Sequence, residues 1–281
     1  MFKEIIQELA GQVTIVDLIV CPAGITVLAI WLIRTSFGVQ SLANAPSRRN
    51  NMPIHLALIP FIIWIAAFWA LDSAKKTVFP DLSGWQDTLT ENLIMILAAA
   101  PPITTILVIG RLHFARGLKG FGLNPKTIGG DLLAALLNLL AILPVLFAAL
   151  FLTTIAGKLI IGPDFHIQQH EGLRQITAYP QLSVRVLILI ATILIVPVTE
   201  EMVFRGIFQT LLRSYITRPW PAIVLTSLVF IIFHENPQHW PALFMLSLCL
   251  GYSYEKTGSL FRPVLLHSMF NALSVFVALG Q

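Results

Sequence analysis

Three polar clusters interrupt the apolar carboxyl-terminal part of this chain: Glu200-Glu201-x-x-x-Arg205, Phe230-x-x-x-His234 and His267-x-x-x-Asn271. Residues four apart share a helix face, so Glu201 can pair with Arg205, and His267 and Asn271 point the same way from their own helix. Phe230 stands one turn from His234 and can shield it from lipid. Adjacent helical residues are turned by about 100°, so Glu200 does not share the direction of Glu201. The Glu201–Arg205 pair reads equally well as a purely structural ion pair. Glu200 does not, because one arginine cannot neutralise two carboxylates. A leftover acid in a water-accessible cavity is suited to general-base work. His234 could hold the same water or shuttle its proton. His267 and Asn271 supply polar groups suited to an oxyanion. Base, water and oxyanion donors describe hydrolysis of a carbonyl compound, and in a bilayer the natural substrate is a peptide bond.

Metal binding is the rival use of these residues. Glu200, His234 and His267 could form a three-ligand zinc site with one open position. The helical H-E-x-x-H of a zinc protease is not present. His234-Glu235 is followed by His239, but the spacing of five and the intervening Pro237 spoil a shared helix face. His166, His170 and Glu171 also have metal-like spacing, yet they read better as a solvated loop. Zinc and a metal-free carboxylate mechanism both stay open at this point.

The elements that must position these groups follow from composition. The 281 residues are 56% hydrophobic and 11% charged, against about 25% charged in a soluble domain. No soluble core absorbs so much apolar surface, so the expected fold is all-α, a polytopic membrane helical bundle with a central polar cavity. About eight transmembrane helices are expected, at 13–33, 53–72, 91–110, 130–156, 182–213, 220–235, 239–253 and 263–279. Prolines 101, 102, 144 and 197 fall inside spans. Only Pro197 is given a role: it removes a backbone donor just before Glu200, and a bend there could open a polar pocket.

The cations divide unevenly between the two sides. Arg34, Arg48, Arg49, Arg111, Arg116, Lys119, Lys126, Arg213, Arg218, Lys256 and Arg262 lie on one, and Lys3, Lys75, Lys76, Lys158 and Arg174 on the other. The richer side is expected in the cytoplasm. On that frame Glu200 and His234 both lie about 20 Å from the cytoplasmic ends of their helices. His267 looks shallower. It can meet them only if the 254–262 segment dips into the membrane.

The three clusters, in this order on successive late helices, resemble the CPBP family of intramembrane proteases, which includes the type II CAAX prenyl endopeptidases and the Abi proteins. The stretch LGYSYEKTGSLFRPVLLH, residues 250–267, is similar to the family's lead-in to its third motif. The resemblance covers roughly residues 182–275. It implies an all-helical membrane fold with a cavity open to the cytoplasm, and a membrane protein or lipidated peptide as substrate. It implies Glu200 as activator of the water, His234 as its partner, and His267 with Asn271 around the oxyanion, with Glu201, Arg205 and Phe230 in support. The expected division is 1–129, N-terminal helices and loops, and 130–281, the catalytic core. The expected setting is the plasma membrane, with no nucleic-acid partner. Two other readings use the same residues: a non-catalytic scaffold or immunity protein binding a partner in the cavity, and a transporter with Glu200 as proton relay. The transporter reading predicts paired broken helices in repeated halves, and none is found.

Overall fold

The computed structural model describes residues 15–279 apart from 37, 39, 46 and 47. The described residues are helical throughout, with no strand; one antiparallel bridge joins Asn50 to Phe114. In chain order the helices are α1 (Ile15–Arg34), α2 (Ile59–Val78), α3 (Gly84–His113), the short α4 (Leu118–Phe121), α5 (Ile128–Ile160), α6 (Glu171–Ala178), the long α7 (Leu182–Tyr215), α8 (Pro219–Ile232), α9 (Trp240–Thr257) and α10 (Phe261–Leu279).

Among the described residues five helices are long and apolar enough to cross a membrane: Ile54–Val78, Gly84–His113, Pro125–Ile160, Leu182–Tyr215 and Phe261–Leu279. The chain is a multi-pass membrane protein. The remaining three of the eight expected spans are weaker. α1 contributes the shorter apolar stretch Cys21–Arg34, and α8 has 14 residues. The last turns of α9 carry Ser253, Glu255 and Lys256, which dilute its apolar run.

α7 is the axis of the bundle, packed by α3, α8, α9 and α10. Its buried side chains Met202, Val203, Phe204 and Ile207 join Phe121, Phe230, Tyr254 and Leu260 in one apolar cluster. A second cluster joins α5 to α9 and α10 through Leu139, Leu143, Leu250 and Leu266.

α7 is not a regular α-helix around Pro197. The helix widens to i→i+5 bonding over Ala191–Ile195 and again over Met202–Gln209. Such wide turns recur at functional sites. In the first, the Val196 N–H goes to the Ala191 carbonyl. The next donor in that register, on residue 197, does not exist because proline has none. The Thr192 carbonyl is therefore left for a partner from another helix. On the ordinary i→i+4 register the carbonyl lost to Pro197 is that of Ile193; the wide turn moves the vacancy by one residue.

The dip required for His267 is present. The Leu260 N–H donates to the Gly122 carbonyl at 2.9 Å. Phe121, the neighbour of Gly122, is fully buried and lies against Gly206, where an added Cβ would stand 2.4 Å from its ring. Gly206 lies roughly 13 Å inside the Tyr215 end of α7 at 1.5 Å per residue. The turn between α9 and α10 is thus anchored within the bundle, and α10 starts deep enough to bring His267 level with Glu201.

Candidate functional site

α7 delivers both acids and the arginine to the centre of the bundle. Arg205 donates through Nη1 to Glu201 Oε1 at 2.9 Å, and both side chains are fully buried. The other face of the fork meets α9, where Nη2 donates to Ser247 Oγ at 2.7 Å and to the Ser247 carbonyl at 3.2 Å. The guanidinium carbon stands 4.8 Å from the centre of the Phe230 ring. A buried ion pair holds only when its remaining donors and acceptors are met. Here they are met in part, because Arg205 Nε, Glu201 Oε2 and Glu200 Oε2 have no hydrogen-bond partner. These are three of the seven buried side-chain atoms so placed among the described residues. Native interiors carry few such atoms, and three of those here fall on one motif.

His267 joins the two acids. Its Nδ1 lies 2.9 Å from Glu201 Oε1 and its Nε2 lies 3.8 Å from Glu200 Oε2. A carboxylate only accepts, so Nδ1 carries the proton and Nε2 faces Glu200. Arg205 has already been committed to Glu201. The His267 ring is the nearest group able to balance Glu200.

His234 is oriented by its own helix end. Its backbone N–H donates to Ile231, not to the Phe230 carbonyl four residues back. The ring takes over that carbonyl through Nδ1 at 2.9 Å. The carbonyl accepts, so Nδ1 again holds the proton and Nε2 is left as an acceptor. The Trp240 indole N–H donates to the His234 carbonyl at 2.9 Å and fixes the following turn. Phe230 sits among these groups, fully buried, its ring centre 4.6 Å from His234 and 6.2 Å from His267.

Asn271 shares a face of α10 with His267, and both reach α7. Asn271 Nδ2 donates at 2.8 Å to the Thr192 carbonyl, the one that Pro197 leaves without a backbone donor. One of its two amide hydrogens is therefore engaged within the fold.

The structure thus brings Glu200, Glu201, Arg205, His267 and Phe230 into one contact group, with His234 packed at a tilt against Phe230 and Asn271 one turn along α10. No hydrogen bond joins Glu200 to His234 among the described residues. Glu200, His234 and His267 do not form a ligand set, and no group of three His, Cys, Asp or Glu side chains able to hold a metal occurs among the described residues. His166 and His170 serve their loop: His166 Nδ1 contacts the Asp164 carbonyl, and His170 Nδ1 accepts from the Gly172 N–H to cap α6. Beside them Glu171 forms two bonds with Arg174, which hold its carboxyl below the usual carboxylate range.

Sequence reasoning missed a polar ladder between α7 and α9. Arg205 meets Ser247, Gln209 Nε2 donates to the Gly251 carbonyl at 3.1 Å, and Arg213 Nε donates to Glu255 Oε2 at 3.2 Å. Both sides step by four residues, so the two helices run parallel with matched faces. Gly251 is required there, since a Cβ would stand 2.8 Å from Gln209 Oε1. The signal was available as Arg205-x-x-x-Gln209-x-x-x-Arg213 beside Ser247-x-x-x-Gly251-x-x-x-Glu255. Glu255 is fully buried and also accepts from Gln209 and Arg48.

Residues 182–273 match the family model described as Rce1-like, type II CAAX prenyl endopeptidase. The matched segment runs from the start of α7 into α10 and contains the three motifs, so the resemblance seen in them holds for this part of the chain. An uncharacterized 24.3 kDa protein of Escherichia coli is 28% identical over 115 residues, which is 40% of this chain and 53% of the relative. The chain thus spans about half the length of that curated relative. No solved structure matches.

Proposed function

We propose that this chain is a CAAX-type intramembrane endopeptidase, hydrolysing a peptide bond in a membrane protein or lipidated peptide. The observation that carries the reading is the mismatch at the centre: the half-buried Glu200 and the fully buried Glu201 stand beside one arginine, and the arginine is bonded to Glu201. Glu200 then acts as general base on a water molecule. His234 offers Nε2 to the same water, its tautomer set by the Phe230 carbonyl. His267, held by Glu201 through Nδ1, points Nε2 at the Glu200 side and stabilises the charge that develops on the attacked carbonyl. The second N–H of Asn271 serves the same oxyanion while the first ties it to Thr192. Glu201, Arg205 and Phe230 hold the histidines and acids in place. The match of residues 182–273 to a CAAX endopeptidase family supports the substrate class.

In this reading residues 130–281 form the catalytic core and 1–129 support it. Phe121 packs on Gly206, and Arg48 closes on Glu255. The setting is the plasma membrane, with the arginine-rich side and the mouth of the site in the cytoplasm.

The test compares peptides from membranes carrying the intact protein with those carrying Glu200→Ala at equal abundance. New chain termini found only with the intact protein identify substrate and activity together. Identical termini in both samples, with a phenotype the variant retains, would return the chain to a scaffold role.

A further inference from the structure

A cavity lies away from the acids. It has a volume of about 420 Å³ and is lined by Arg48, Arg49, Arg116, Lys119, Thr127 and Thr257, among others. None of the seven motif residues lines it. It opens where α3 ends, α5 begins and α9 ends, at the end of the bundle that carries Arg213 and Lys256.

Four cations around one cavity repel one another unless anions intervene. Among the described residues only Arg48 of the four cations meets an acid, Glu255. Glu255 is bonded to Arg48, Arg213 and Gln209; Asp131 is 2% exposed and accepts from Ser259 and Arg262. No carboxylate lines the cavity. Arg49, Arg116 and Lys119 form no ion pair with a described residue. The Arg48 side chain is 6% exposed, and its Nε has no hydrogen-bond partner.

The backbone that carries Arg49 and the Arg48 side chain are held in place, while the Arg49, Arg116 and Lys119 side chains are exposed. The Ala115 N–H donates to the Arg49 carbonyl at 3.1 Å, and the Asn51 N–H donates to the His113 carbonyl at 3.0 Å. This short pairing holds Arg49 beside Arg116. Arg48 is clamped by the Tyr254 carbonyl at 2.6 Å and lies 3.4 Å above the Tyr254 ring. On the membrane side the adjoining helix turns expose Leu112, Ile128 and Leu132.

From this geometry we infer that the cavity is a binding site for an anionic phosphate group. Arginine recognises phosphate through paired N–H donors, and basic pockets between spanning helices take acidic headgroups. The exposed leucines and isoleucine give an acyl chain a surface to follow, which favours a phospholipid over phosphate from solution. The inference is independent of the peptidase reading, since it uses none of the same residues.

The test uses the full chain purified in neutral detergent, with unfolding temperature measured at constant ionic strength. Dioctanoyl phosphatidylglycerol is expected to raise it by about 3 °C or more at concentrations where dioctanoyl phosphatidylcholine leaves it unchanged. The double variant R116Q/K119Q keeps the lipid-free value and loses most of the shift, while R116K/K119R retains it. Inorganic phosphate giving the same shift at the same concentration would support the phosphate site and move its source to solution. A shift that survives in R116Q/K119Q, or no shift with either anion, overturns the proposal.

Discussion

The two ends of the α7–α9 ladder use the same chemistry to opposite effect. At the outer end Glu255 is fully buried and both oxygens are bonded, with Arg48, Arg213 and Gln209 donating. Two cations face one acid. At the inner end two acids face one cation, and one oxygen of each acid is left without a partner. Burial of charge is common to both and marks neither as reactive. The imbalance separates them: a saturated acid locks helices together, and an acid with an unbonded oxygen can still accept a hydrogen bond from water.

Four experiments bear on that contrast. The largest effect is expected from Glu200→Gln, which should lower peptide cleavage by about 10²–10⁴-fold, the range for a lost general base. Its unfolding temperature should stay close to that of the intact protein, because no hydrogen bond to Glu200 is lost. A cleaving Glu200→Gln enzyme would erase the distinction between the two ends. Glu255→Ala should do the reverse. It strands Arg48 and Arg213 and should lower stability by about 3–5 kcal/mol, read from unfolding in mixed micelles, while the folded fraction keeps its specific activity. Loss of activity at unchanged stability would show that the outer end also serves the chemistry.

Asn271→Ala should cost about 1–3 kcal/mol by leaving the Thr192 carbonyl unmet. Adding Pro197→Ala returns a backbone donor to that carbonyl. Stability should then recover while cleavage does not, which separates the two roles of the amide. Recovery of both would reduce Asn271 to a fastening between α7 and α10. The smallest effect is expected from metal removal: dialysis against a chelator should leave cleavage unchanged, because Glu200, His234 and His267 do not gather as ligands. Inactivation that added zinc reverses would replace the bare carboxylate with a metal.

The parts of this site governed by local spacing were legible in the sequence. Glu201 and Arg205 pair at four residues, Phe230 packs against His234, and the acid left over is Glu200. The depth of His267 was inferable only as a condition, since its cause is Phe121 wedged on Gly206, far along the chain. The role of Asn271 was half visible. The loss of a donor at Pro197 can be read directly, but the wide turn that transfers the loss to Thr192 depends on tertiary packing. Glu255 gave no signal by itself, because its partner Arg48 lies in a remote loop. Counting spans was least secure. Hydropathy treats α8 and α9 as crossings, whereas their length and polar residues are set by the site between them.

The shortness of α8 has a mechanical result for the surrounding lipid. Fourteen residues extend about 21 Å, against a hydrocarbon layer of about 30 Å. Val224, Leu225, Leu228 and Ile232 are exposed along it, so lipid tails must meet this undersized flank. The bilayer answers such a mismatch by puckering. Where α8 spans the layer, headgroups and solvent would be drawn down beside the 233–239 turn, next to the histidine at the end of that helix.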